Sequence, residues 1–77
     1  MKVQIKEFSK LLSEVVDHEI INLELTDEPK DIDGWDSLNH VYLIIKLESF
    51  YKIKFNTSRI QQWTCVGDII NDINKIL

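Results

Sequence analysis

Ser37 follows Asp36 and stands three residues before His40, so one short stretch holds a hydroxyl, a carboxylate and an imidazole. Those types could form a hydrolytic triad, in which the acid orients the histidine and the histidine activates the hydroxyl. Local geometry argues against it. Gly34 can turn the chain where other residues are strained, and Asp36 is among the best residues for accepting the free N–H groups at a helix start. Its carboxylate is then committed to the backbone. His40 falls one turn further along the same helix, expected on its exposed side, and no glycine-rich oxyanion loop stands nearby. What remains is the Ser37 hydroxyl at the first helical position, beside unpaired backbone donors and the positive end of the macrodipole, where a phosphate is stabilised. A covalently attached phosphodiester suits that site. On the residues alone a helix-initiating serine needs no function, since serine is ordinary there. Cys65 is the single cysteine and reads as a small packed residue. With no partner for it, and two separated histidines without a Cys-x-x-Cys, neither a disulfide nor a metal site is expected.

The elements that must position Ser37 follow from periodicity. Ile5, Phe8, Leu12 and Val15 fall at helical spacing, widened by Leu11 and Val16, which predicts a first helix from about Val3 to about Asp17. From His18 to Trp35, acids, Thr26-Asp27 and Pro29 break the period, giving a long loop pinned by Ile20, Ile21, Leu23, Leu25 and Ile32. Trp35 reads as a loop anchor over the core, with a contact to a partner or prosthetic arm as the alternative. The second helix is expected from Ser37 to about Tyr51, and its apolar residues cover more than one stripe. Tyr51-Lys52-Ile53-Lys54-Phe55 alternates like a strand, yet nothing pairs with it, so it reads as an extended linker with two buried anchors. Asn56-Thr57-Ser58 supplies caps for a short third helix carrying Ile60 and Trp63. Thr64 is placed to cap a last helix, with Asp68 in its first turn and a stripe of Val66, Ile69, Ile70, Ile73 and Leu77. The fold class is therefore all-α: a four-helix bundle with a long loop between the first two helices and a short third helix.

Seventy-seven residues make one domain, 1–77, whose stability must come from helix packing alone. Net charge is −4, unevenly spread: Glu14 to Asp36 carries −8, while each flank carries +2. An acidic rim disfavours nucleic acid and favours partners with Lys and Arg patches. No apolar run reaches the ~20 residues of a membrane span. The N-terminal stretch Met1 to Glu7 alternates instead of forming a signal-peptide block, so a cytoplasmic protein is expected; separately, a monomer is expected.

Asp36-Ser37-Leu38 resembles the attachment motif of acyl carrier proteins, and the likeness extends further. Leu47-Glu48 with Phe50-Tyr51, then Ile53-x-Phe55, is similar to the family's end of helix II. Thr64-x-Val66-Gly67-Asp68 is similar to its lead into the last helix. These blocks align without a gap from about Gly34 onward, whereas the first 33 residues match only in pattern. The resemblance implies that a phosphopantetheinyl transferase moves 4′-phosphopantetheine from coenzyme A to Ser37, flanked by Asp36 and Leu38. The chain itself would be no enzyme. It would present acyl or aminoacyl thioesters to a loading ligase and to downstream acyltransferases or synthases, through Trp35, His40, Val41, Tyr42 and Glu48. The family's fatty-acid members carry several acids along helix II, where this chain has Asn39, Tyr42 and Ser49. Lys46, Lys52 and Lys54 make that helix end basic. Asp33 also replaces an apolar residue usual before the glycine, with Ile32 placed to take over its anchoring. These departures point to a specialised carrier, its cargo open among fatty acyl, hydroxyacyl, aminoacyl and polyketide chains. An unmodified helical interaction module is the alternative from another class.

Overall fold

A computed structural model describes residues 2–77; Met1, with which the N-terminal stretch begins, lies outside the described residues. Four α-helices follow in order: α1 Ile5–Val16, α2 Ser37–Tyr51, α3 Thr57–Gln62 and α4 Val66–Ile76. The 3₁₀ turn Pro29–Asp31 interrupts the long connection between α1 and α2. The all-α architecture is as the spacing predicts, with no strand among the described residues.

The first helix begins later than expected because Val3 is used otherwise. Its N–H donates to Asn74 Oδ1 at 2.6 Å, and its carbonyl accepts from Asn74 Nδ2, so extended backbone pins the N-terminal segment to α4. Phe8, Leu11, Leu12 and Val16 then turn inward from α1, Leu43 and Leu47 from α2, and Val66, Ile69, Ile70 and Ile73 from α4. Trp35 and Phe55 complete the core from the two connections. A radius of gyration of 11.3 Å agrees with the ~11.5 Å of a folded chain this long. Leu77, expected in the last stripe, is instead 52% exposed, since α4 ends at Ile76.

The long connection is held by its own polar groups as much as by apolar anchors. Ile20, Leu23 and Ile32 pack on the core, but Ile21 is 73% exposed and Leu25 52%, which corrects two of the five expected anchors. Leu25 is held through its backbone. Its carbonyl accepts the Gly67 N–H at 2.8 Å, and that of Asp27 accepts the Val66 N–H at 2.9 Å. Two N–H groups that the start of α4 cannot satisfy internally are thereby paired. Gly67 is required by this approach, because a Cβ there would lie 3.1 Å from the Leu25 carbonyl oxygen.

Thr64 does not cap α4 as expected. The capping position falls on Cys65, partly buried, and Asp68 reaches back to accept both the N–H and the hydroxyl of Thr64, at 2.9 and 2.8 Å. Those bonds hold the Asp68 carboxyl below its ordinary pKa. The linker expected over Tyr51 to Phe55 starts later than predicted: Tyr51 still belongs to α2 and Lys52 ends the helix in a left-handed conformation at φ 56°, while of the two expected anchors Phe55 is buried and Ile53 half-buried.

Candidate functional site

Ser37 occupies the first position of α2 and is exposed. The segment before it is shaped by Gly34 and held by His18. Gly34 adopts φ +84°, and a Cβ there would lie 3.3 Å from the Val16 Cβ, so both conformation and space demand glycine. His18 Nε2 meets the Asp33 carbonyl at 2.6 Å, tying the segment to the end of α1. That bond, first, and one to the Glu19 carbonyl hold the His18 pKa above its ordinary value.

The first turn of α2 then reaches back over the segment that leads into it. Asp36 caps the helix, its Oδ1 accepting the Asn39 N–H at 2.8 Å. Asn39 Nδ2 donates to the Gly34 carbonyl at 2.7 Å, and the His40 N–H donates to the Asp36 carbonyl at 2.8 Å. Ser37 and Leu38 sit at the apex of this closed turn, with Leu38 63% exposed beside the hydroxyl. An exposed hydroxyl at the positive end of a four-turn helix is the arrangement in which a phosphodiester gains from the macrodipole. Hydrolysis is not served, because the Asp36 carboxylate faces Asn39 and not His40.

His40 departs from expectation. It is half-buried and not on the exposed side of α2, and its Nδ1 accepts the Trp35 indole N–H at 3.0 Å. Its ring lies 5.9 Å from that of Trp35 and stands edge-on to Trp63 at 6.1 Å. Burial pushes its pKa below the ordinary imidazole value. The signal was available: His40 precedes Leu43 by three residues and Leu47 by seven, which puts all three on one helical face. Trp35, 4% exposed, is the loop anchor and presents almost no surface to a partner. Trp63 continues the chain of rings edge-on to Phe55 at 4.9 Å and donates to Asp72 Oδ2 at 2.7 Å.

Val41 and Tyr42 are exposed, as a contact surface requires, and Ile45 joins them. Leu38, Val41, Tyr42 and Ile45 stand at i, i+3, i+4 and i+7, forming an apolar stripe that begins next to Ser37. Periodicity could not say which side of a helix apolar on both would be left open. Glu48 is half-buried, and its Oε2 accepts the Phe55 N–H at 2.9 Å, so it also fastens the linker after α2.

Among the described residues no cluster of His, Cys, Asp and Glu could hold a metal ion, and no helix is long and apolar enough to cross a membrane. No protein-family model matches the chain. It is 35% identical over 54 residues to an acyl carrier protein of Phytoplasma mali, a match covering 70% of this chain and 64% of that relative. The solution structure of a holo acyl carrier protein from Geobacter metallireducens superposes with a TM-score of 0.86 at 36% identity, covering 94% of this chain and 83% of that one. The shared shape extends over nearly the whole chain at an identity above a third, and the chain belongs to the acyl carrier protein family.

Proposed function

We propose that this chain carries acyl or aminoacyl groups on a 4′-phosphopantetheine arm attached to Ser37 Oγ. The observation that carries this reading is the exposed Ser37 hydroxyl at the start of α2, in a fold similar to a protein described in its holo form. When attached, the arm supplies a terminal thiol that holds cargo as a thioester. The residues present fit it. Ser37 offers an unobstructed oxygen, the N-terminal dipole of α2 favours the phosphate charge, and Asp36 fixes the turn without covering the hydroxyl. The chain supplies no catalysis in this reading. A phosphopantetheinyl transferase installs the arm from coenzyme A, and a loading ligase and acyltransferases or synthases add and remove the cargo.

Those partners would dock on the stripe from Leu38 through Val41, Tyr42 and Ile45, with Asp36 and Glu48 as its acids. Trp35 leaves that surface because it is buried, while His40, half-buried like Glu48, lies at its edge. The apolar stripe also supports a second reading, an unmodified interaction module. Intact mass after incubation with coenzyme A, Mg²⁺ and a broad-specificity transferase separates the two. The wild type should gain one phosphopantetheine and Ser37→Ala none. No gain on the wild type, or equal gain on the variant, sinks the carrier reading, and full biological activity of Ser37→Ala would favour the module.

A further inference from the structure

The indole N–H of Trp35 can only donate, so its hydrogen bond to His40 requires an unprotonated Nδ1 and places the imidazole proton on Nε2. A protonated His40 donates at both nitrogens. Two N–H groups would then face each other across 3.0 Å, beside an indole with no room to turn toward water. The backbone N–H at position 40 also donates to the Asp36 carbonyl, the first helical bond of α2, so the imidazole is carried on the turn that follows Asp36. Trp35 and Asp36 are the two residues immediately before Ser37, and the backbone N–H of Trp35 donates to the Ile32 carbonyl at 3.2 Å. Displacing the Trp35 ring therefore strains the turn that presents Ser37.

We propose that His40 is a positioning residue for Ser37: neutral, it holds Trp35 and the turn in the presenting geometry; protonated, it releases them, so that acceptance of a group at Ser37 depends on pH. The consequence for loading rests on Ser37 being the attachment site; the coupling of His40 to Trp35 does not. The charged groups on the surrounding elements are engaged elsewhere. Asp36 on the preceding segment accepts from Asn39, and Glu48 on α2 from Phe55. Beyond Trp63, Asp72 of α4 is paired with Arg59 of α3. Burial accordingly dominates the His40 environment, with no carboxylate beside it to hold a proton. His18, which binds the Asp33 carbonyl on the other flank, is the one competing imidazole.

The test follows the Trp35 indole and the Ser37 amide resonances of the whole protein from about pH 8 to about pH 5. Both should move with one common midpoint below 6.5. His40→Gln retains an acceptor that does not titrate and should abolish the transition, Trp35→Phe should remove it from the Ser37 amide, and His18→Gln should leave it intact. In the transferase assay, the wild-type rate divided by that of His40→Gln should fall by up to about tenfold per pH unit below the midpoint, which cancels the transferase's own pH dependence. A transition that survives in His40→Gln, one that vanishes in His18→Gln, or a Trp35 indole that does not move overturns the proposal. If nothing is loaded on the wild type at any pH, the attachment reading fails while the resonances still decide the role of His40.

Discussion

At the residue scale the most constrained position is Gly34. It combines a left-handed backbone with a Cβ direction that points into Val16, so a side chain is opposed twice, by conformation and by contact. Gly34→Ala should destabilise the fold by about 1–3 kcal/mol. Urea unfolding checks it, and an unchanged midpoint would mean that the turn relaxes freely. Asp36 and Asn39 close the same turn from the other side, the first through its carboxylate on the Asn39 N–H and the second through its amide on the Gly34 carbonyl. Ser37 is left as the exposed hydroxyl of this turn, between Asp36 and Leu38. In the proposed function, that exposure is what would make an otherwise ordinary serine available to a transferase.

At the element scale, α3 has six residues and is too short to be stable by its own backbone bonds. Asp72 of α4 supports it. This buried carboxylate accepts from Arg59 Nη2 at 2.6 Å and from the Trp63 indole at 2.7 Å, holding the middle of α3 and the residue that ends it. The Arg59 hydrogen bond is the leading cause of its lowered pKa, with the Trp63 bond and the guanidinium charge adding to it. Because the folded value lies below the unfolded one, this contribution is fully present above about pH 3.8 and is lost as pH falls below it. Asp72→Ala, which strands the Trp63 N–H, should cost about 1–3 kcal/mol at neutral pH. In a chemical-denaturation series toward acid, Asp72→Asn should lose less stability than the wild type below that pH, and an identical acid profile would assign the acid loss to other carboxylates.

The open face of α2 carries its own prediction. Tyr42→Ala should weaken the cognate partner by about 2 kcal/mol, as the loss of an aromatic anchor does. Glu48→Gln, which keeps an acceptor for the Phe55 N–H while removing the charge, should change affinity by less than about 1 kcal/mol. Affinity measured across a salt series decides between them. A steep loss from low to physiological salt, with Tyr42→Ala neutral, would mean that acids and not the apolar stripe dominate recognition.

For the molecule as a whole, charge is concentrated where the chain lacks helix. Residues 14–36, the end of α1 and the connection to α2, hold nine acids against Lys30. Part of that charge is spent on structure: Asp27 accepts the Glu24 N–H, Asp31 the Glu28 N–H and Asp36 the Asn39 N–H. The remainder repels itself. Surface ion pairs such as Lys46–Glu14, at 2.8 Å, are each worth at most about 1 kcal/mol and are screened by the same ions. Added salt should therefore raise the urea midpoint, since relief of the −8 stretch outweighs the loss of isolated pairs. A falling midpoint with salt would show that the pairs dominate.

The sequence by itself determined the helices, the turn and the serine, because each rests on local chemistry. Apolar spacing specifies α1 and α4, Gly34 and Asp36 specify where α2 begins, and Asn56 caps α3 through its bond to the Ser58 N–H. Ordered blocks from Gly34 onward made the family legible for the same reason: the Ser37 turn and its flanks are contiguous in the chain. Tertiary structure decided everything that depended on which face of a helix met its neighbours. A second helix apolar all round could bury either side, and only packing against α1, α4 and the loop chose Leu43 and Leu47, leaving Leu38, Val41, Tyr42 and Ile45 open. His40 went inward with the chosen side, onto a tryptophan five residues earlier and another 23 residues later. Leu25 was fixed by its carbonyl and not its side chain, through a glycine 42 residues away. Such long-range partners leave no periodic trace, because a single backbone approach or ring contact has no spacing for a sequence to repeat.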